Sequence, residues 1–105
     1  MIEITINKPF KANDLIGFKA SGHANTDVKG KDIVCAAVSA LTQIAALGIM
    51  QYRPNDFFIG TDNGYLDIAL PWHYDGNIMT IINVMELGLN EIEKQYPDKV
   101  KVIVI

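Results

Sequence analysis

The stretch FFIGTDNGYLDIALP, residues 57–71, contains two short runs rich in apolar residues, one on each side of Asn63 and Gly64. Asn-Gly is the dipeptide favoured in two-residue turns, where both positions take a positive φ. Two such runs separated by Asn-Gly are typical of paired β-strands. The stretch therefore predicts a hairpin of strands 57–62 and 65–71, and a hairpin favours an antiparallel sheet.

Outward from this hairpin, the apolar spacing predicts the remaining elements. Residues 1–6 and 15–24 alternate as strands do, and residues 100–105 form a last strand. Spacing by three and four predicts a helix from Asp32 to about Tyr52 and a second helix before Pro97. The predicted apolar faces are Val34, Ala37, Val38, Leu41, Ile44, Ala45 and Gly48 on the first helix, and Ile78, Ile81, Ile82, Met85, Leu89 and Ile92 on the second. The order ββαββαβ predicts an α+β single domain over residues 1–105, a mostly antiparallel sheet with two packed helices.

The composition excludes several classes of function. The chain has 105 residues, half of them hydrophobic, and a net charge of −3 with no basic cluster, so we expect no direct nucleic-acid binding. We expect no membrane span, because polar residues interrupt the longest apolar run, and a cytoplasmic location, because the amino terminus does not resemble a signal peptide. The strand 100–105 has five apolar residues in six, so it is either interior or meets a second copy.

Cys35 is the only cysteine, which leaves a thiol outside any internal disulfide. If Asp32 caps the first helix, Cys35 lies in its first turn, where unpaired N–H groups and the helix dipole favour a thiolate. That effect is small, about 1 kcal/mol, so a second positive group is needed, and His23 at the end of a predicted strand is the candidate. Helical spacing places Asp32, Cys35 and Ser39 on one side, opposite the predicted apolar face.

Plainer interpretations of these residues are also open. A single cysteine near a helix start is most often structural, and Ser39 in a helix can bond its own backbone. His73 has no partner nearby in sequence and is taken as a surface residue. One cysteine and two histidines do not form the closely spaced ligand pairs of a zinc site, so we expect neither metal nor cofactor.

The motifs GHA at residues 22–24 and GKDIVCAAVSAL at residues 30–41 resemble the signature of the ribosomal-processing cysteine proteases, a family of small bacterial proteins. The resemblance implies an endopeptidase that cuts after phenylalanine and removes a short N-terminal extension from a basic large-subunit ribosomal protein. It implies a catalytic pair of His23 and Cys35, and a homodimer. Gly22, Gly30, Asp32 and Ser39 fall in the same motifs and are implied as possible supporting residues.

Two other functions fit the residues. A thiol hydrolase of small substrates would use the same Cys35 and His23 pair in a closed pocket. A non-catalytic ribosome-associated module would need neither side chain. The role of Asp32 is open as well, since it either caps the helix or orients His23.

Overall fold

The computed structural model describes residues 1–8, 15–22, 33–62, 64–71 and 76–105. These residues form five strands and two helices in the predicted order ββαββαβ. The elements are β1 (Ile2–Asn7), β2 (Leu15–Ser21), α1 (Ile33–Tyr52), β3 (Phe58–Asp62), β4 (Tyr65–Pro71), α2 (Gly76–Gln95) and β5 (Val100–Val104). All seven predicted elements are present, and the predicted continuation of β2 through residues 23 and 24 lies outside the described residues.

The strands form one sheet in the order β3-β4-β2-β1-β5. The predicted hairpin is confirmed, with Asp62 opposite Tyr65 and a φ of 74° at Gly64. β4 pairs with β2 and β2 with β1, both antiparallel, whereas β5 runs parallel to β1. The sheet is therefore mixed, and mostly antiparallel as predicted.

Alternate residues of the strands bury one face of the sheet against both helices. Ile2, Ile4 and Ile6 of β1 are buried in the same cluster as residues of β2, β4 and β5. On α2 the buried residues are Ile78, Ile82, Met85 and Leu89, all from the predicted apolar face. The two-layer α+β architecture follows from this single core.

The predicted apolar face of α1 is wrong in part. Ile44, predicted as core, is 68% exposed, whereas Thr42, Ala46 and Ile49 are buried. The cause is the composition of α1, which contains no charged residue, so apolar spacing fits more than one side of the helix. The buried Thr42 hydroxyl donates to the carbonyl oxygen of Val38 at 2.9 Å, which accounts for a polar residue in the core.

α1 is also long and apolar enough to cross a membrane by length and composition alone, although polar residues interrupt its apolar run. A helix in a protein core can have the same length and apolar composition. One such helix is therefore weak evidence of a membrane-spanning segment. In this fold Val34, Val38 and Ile49 of α1 pack against the sheet in the core.

Candidate active site

Cys35 lies in the first turn of α1, which begins at Ile33. The first residues of a helix have N–H groups without an intrahelical acceptor, and the positive end of the helix dipole lies there. Cys35 is half-buried and packs against the core cluster beside the buried Val34 and Val38. The prediction that Cys35 lies on the side opposite the apolar face is therefore wrong in part, because the buried side of α1 is rotated toward Cys35 and Thr42. Its side chain is at the rim of the core, partly open to solvent.

Gly22, at the end of β2, has a backbone role that the sequence did not reveal. Its φ is 92°, and a Cβ there would lie 2.5 Å from the carbonyl oxygen of Met1. Its N–H donates to the carbonyl oxygen of Gly64 at 3.1 Å. Only glycine fits this position, so Gly22 fixes the end of β2 between the start of β1 and the hairpin turn, immediately before His23.

Several predicted site residues fall outside the described part of the chain. These residues are His23, Gly30, Asp32 and His73. The proposed Cys35–His23 pair and the two roles considered for Asp32 therefore stay predictions.

Ser39 is half-buried and lies one turn after Cys35. Thr42 follows on the same edge of α1, and its hydroxyl is also 3.3 Å from the carbonyl oxygen of Ser39. At 100° per residue, Cys35, Ser39 and Thr42 span about 60° of the helix circumference. They form one edge of α1, and sequence reasoning missed Thr42 because it was not on the predicted apolar face.

The edge of α1 with Thr42 faces the closed end of the β3–β4 hairpin, where a pocket of about 180 Å³ separates the two. Tyr65 lines this pocket, and its hydroxyl donates to the Asp67 carboxylate at 3.2 Å. Desolvation, this hydrogen bond and repulsion from Asp67 raise the pKa of Tyr65, so the phenol is neutral at physiological pH. The Asn63-Gly64 signal found the hairpin but gave no indication of this pocket.

A metal site in a protein is usually built from acidic, histidine and cysteine side chains that lie close together. Among the residues that the structure describes, no three of them form a group that could hold a metal ion.

The comparisons with known proteins agree with this architecture. The model of the cysteine protease Prp family matches residues 1–101. A ribosomal processing cysteine protease Prp from Bacillus subtilis (strain 168) is 30% identical over 108 residues, covering 97% of this chain and 96% of the relative. The protein of the same name from Staphylococcus aureus (strain Mu50) is 29% identical over 103 residues, covering 95% and 93%.

The fold is also found in solved structures. The S. aureus ribosomal processing protease Prp, in complex with a covalently linked product peptide, superposes with a TM-score of 0.83 at 23% identity, and the match covers all of both chains. A protein from Streptococcus mutans gives a TM-score of 0.79 at 23% identity, covering 100% of this chain and 94% of that one. Since the family model spans nearly the whole sequence, the chain belongs to the Prp family of cysteine proteases.

Proposed function

We propose that this protein removes a short N-terminal extension from a large-subunit ribosomal protein by cutting after a phenylalanine, with Cys35 as nucleophile and His23 as acid and base. The names of the B. subtilis and S. aureus relatives support ribosomal processing. The S. aureus protein has been solved with a substrate peptide and with a covalently linked product peptide.

The observation that carries the proposal is the place of Cys35 in the first turn of α1, half-buried at the rim of the core. A nucleophile must be held rigidly and still reach its substrate. The packing of Cys35 against the core supplies the first property, and its partial exposure supplies the second. A cysteine that only filled the core would be fully enclosed, like Val38 three residues later.

In the first half of the proposed reaction, the Cys35 thiolate attacks the carbonyl carbon of the scissile peptide bond. The carbon–sulfur bond forms as the carbonyl π electrons move to oxygen. The tetrahedral intermediate then collapses, the carbon–nitrogen bond breaks, and the His23 imidazolium gives its proton to the leaving amine. The products are a free amino terminus and a thioester on Cys35.

In the second half, neutral His23 takes a proton from water as the water oxygen attacks the thioester carbon. The carbon–sulfur bond breaks, and the electron pair returns to Cys35 as a thiolate. The His23 imidazolium forms again beside it, and the carboxylic acid product leaves as its carboxylate. The carboxylic acid gives its proton to the solvent, so atoms and charges balance over the cycle.

The start of α1 supplies donors for the oxyanion of both intermediates. Ile33 and Val34 lie in the first turn of α1, where the N–H groups point outward from the start of the helix. Such groups stabilise negative charge at a helix start. If Asp32 accepts from the Cys35 N–H as a cap, that donor is withdrawn from the oxyanion, and Asp32 would then orient His23 only if it leaves the cap.

The proposed substrate is compatible with the charge of the protein. At a net charge of −3, the chain favours a basic partner such as a ribosomal protein over nucleic acid. A ribosomal substrate also implies action in the cytoplasm, where an active thiol is kept reduced.

The direct test is cleavage of a peptide that spans the end of the extension and the start of the mature ribosomal protein. Mass spectrometry should show one cut, after phenylalanine, by the unchanged protein and none by Cys35→Ala or His23→Ala. Alkylation of Cys35 should be rapid near neutral pH and shift to higher pH in His23→Ala. Equal turnover of small esters with no peptide cleavage would support a thiol hydrolase, and slow alkylation without turnover would support a non-catalytic module.

A homodimer is part of this proposal. The sequence suggested the last strand as its interface, and the structure leads us to propose a different surface. β5 is an edge strand, but two of its outward N–H groups have acceptors within the chain. The Val102 N–H donates to the Glu93 carboxylate at 2.7 Å, and the Val100 N–H donates to the carbonyl oxygen of Tyr96. An edge capped by α2 in this way is a poor site for pairing with a second sheet.

The outer surfaces of the two helices offer a better interface. An apolar groove of about 350 Å³ lies between them, lined by Leu41, Ile44, Ala45, Gly48, Tyr52, Thr80, Ile81, Val84 and Met85. Six large apolar side chains are exposed on these helices: Ile33, Ile44, Leu47, Tyr52, Val84 and Leu87. At roughly 100 Å² each they approach the ~800 Å² that one partner of a stable complex buries. α1 brings no charge to this surface, which fits an identical surface better than a charged partner.

Size-exclusion chromatography coupled to light scattering tests this interface. We expect a dimer that Val84→Lys converts to monomer, because a charge would be buried without a partner. Glu93→Gln, a control at the β5 edge, should stay dimeric. The opposite result would place the interface on β5.

A further inference from the structure

β3 and β5 are the two edge strands of the sheet, and they differ in how their outer edges are covered. The edge of β5 is capped by α2, because the Val102 N–H donates to Glu93 and the Val100 N–H donates to the carbonyl oxygen of Tyr96. β3 has no such cap in the part of the chain that the structure describes. Edge strands are usually protected by lysine, proline or a covering element. β3 contains neither lysine nor proline, and all of its residues are exposed.

The register of the hairpin decides which backbone groups of β3 point outward. Asp62 and Tyr65 flank a two-residue turn and therefore form a hydrogen-bonded pair. Such pairs alternate with unbonded pairs along an antiparallel ladder, so the N–H and C=O groups of Ile59 and Thr61 point away from β4. No described residue bonds to these groups. They are open to the backbone of another extended chain.

The side chains of β3 favour apolar contacts on both faces of a chain added there. Phe58 is 68% exposed on the face away from the helices, and Ile59 is 44% exposed on the helix face. Gly60 shares the face of Phe58 and leaves a gap beside it, since even a Cβ at Gly60 would lie 3.9 Å from its nearest neighbour, the Tyr65 ring. A large apolar or aromatic side chain on a neighbouring strand fills such a gap over an edge glycine.

The free edge of β3 lies on the same side of the molecule as Cys35. α1 contacts α2 through Leu41 and Gly48, and Cys35 is about 120° around the helix from Leu41. Gln43, also on the side away from α2, lines a pocket together with Thr61 of β3. Cys35 precedes Gln43 by ~12 Å along the helix axis. An extended chain covers that distance in about four residues.

We propose that the substrate binds by adding a strand to the free edge of β3, with a large apolar side chain over Gly60, and continues past the closed end of the hairpin to Cys35. The occupant follows from chemistry, because only an extended backbone supplies donors and acceptors at the spacing of Ile59 and Thr61. The paired segment lies about four or more residues from the bond that is cut. The inference rests on the proposed peptidase function and adds the way in which the peptide is held.

An N-methyl scan of the substrate peptide tests strand addition, because each N-methyl group removes one backbone donor and leaves the side chain in place. The fluorescein-labelled peptide spans the proposed cleavage site with long flanks, and its binding to Cys35→Ala is measured by fluorescence anisotropy. Away from the cut, we expect Kd to rise about tenfold at alternate positions of one stretch and to stay within about twofold at the positions between them.

Variants of the two edge strands, made in the same Cys35→Ala protein, test the location. Ile59→Lys should weaken peptide binding about tenfold, because a lysine protects an edge against pairing. Val104→Lys is the matched control, since Val104 is 46% exposed on the same face of the other edge strand, and it should leave Kd unchanged. Replacing the peptide residue over Gly60 by alanine should weaken binding about fivefold, and in Gly60→Val that loss should shrink to within about twofold.

The outcomes separate the two proposals. Cleavage combined with a flat N-methyl profile, or with an effect of Ile59→Lys no larger than that of Val104→Lys, overturns strand addition and leaves the peptidase standing. An alternating profile without cleavage by the unchanged protein supports strand addition and overturns the proposed peptidase. The absence of both binding and cleavage overturns both proposals. If Ile59→Lys lowers the oligomeric state and leaves peptide affinity unchanged, β3 pairs with a second copy and strand addition by the substrate is wrong.

Discussion

The two helices have the same length and cover the same face of the sheet, yet they differ in charge. α2 carries Glu86, Glu91, Glu93 and Lys94, whereas α1 carries none. α2 uses one apolar side for the core and its carboxylates for local tasks, such as the bond from Glu93 to the Val102 N–H and the ion pair of Glu86 with Lys8. α1 is apolar on several sides, and each side has a different neighbour.

This difference shows how a single helix serves more than one purpose. The inner side of α1, with Val38 and Ile49, builds the core. One outer side, with Ile44 and the groove, is the surface that we propose for a second copy. The edge with Cys35 is the one that we propose for chemistry. A charged residue on any of these sides would interfere with its neighbour, so the absence of charge in α1 has a physical reason.

The largest effect is expected at Cys35. Cys35→Ala should lower the rate of peptide cleavage by at least about a thousandfold, because the covalent route is lost. The free energy of unfolding should change by less than about 1 kcal/mol, since the thiol is only half-buried. Asn83→Ala, at an exposed position of α2, is the control and should keep the rate. Normal cleavage by Cys35→Ala, or its failure to fold, would contradict the assignment of chemistry to α1.

Two isoleucines of α1 give the next largest effect, this time on stability. Ile49→Ala should cost about 2–5 kcal/mol, because Ile49 is fully buried. Ile44→Ala should cost less than about 0.5 kcal/mol in dilute solution, where any dimer has dissociated. Urea unfolding followed by circular dichroism measures both. Equal losses of stability in the two variants would show that Ile44 belongs to the core, as the apolar spacing predicts.

These isoleucines also show what the sequence could reveal. The Asn63-Gly64 turn and the clean amphipathic pattern of α2 gave the hairpin, the second helix and the element order, because each signal is local and has one interpretation. The apolar pattern of α1 fits several interpretations, and only packing against the sheet decides that Thr42 rather than Ile44 is buried. The parallel pairing of β5 with β1 likewise depends on tertiary packing and not on a local sequence signal.

The candidate site could likewise be predicted from the sequence only in part. The motif around Cys35 identified the family, which the whole-chain match confirmed. The backbone role of Gly22 depends on the approach of Met1 and Gly64, residues far apart in sequence. The pocket at Asp62 depends on the angle between α1 and the hairpin. Local sequence patterns hold no signal for such contacts.

A smaller effect is expected where the two helices touch. A Cβ added at Gly48 of α1 would lie 3.2 Å from the end of the Ile81 side chain, and one at Gly88 of α2 would lie 3.0 Å from a methyl of Leu41. Alanine favours a helix over glycine by about 1 kcal/mol. Because the Ile81 methyl lines the open groove and can move, Gly48→Ala should raise stability by up to ~1 kcal/mol. Thermal unfolding measures this change. A loss of stability above 1 kcal/mol would show that the two helices cannot move apart enough to accommodate the added methyl group.

The smallest effect is expected at the residues that precede the helices, since Asp32 comes directly before α1 and Asp75 directly before α2. Asparagine caps a helix about as well as aspartate, so two simple caps predict that Asp32→Asn and Asp75→Asn are both nearly silent in melting temperature and cleavage rate. Alanine at either position should cost about 0.5–2 kcal/mol. We favour the cap for Asp32 because it occupies the position where a cap belongs. If Asp32 instead orients His23, Asp32→Asn removes the charge that steadies the imidazolium, and the rate should fall a hundredfold or more at unchanged stability. Asp75→Asn would be unaffected in that case, so a loss of rate confined to Asp32→Asn decides between the two roles.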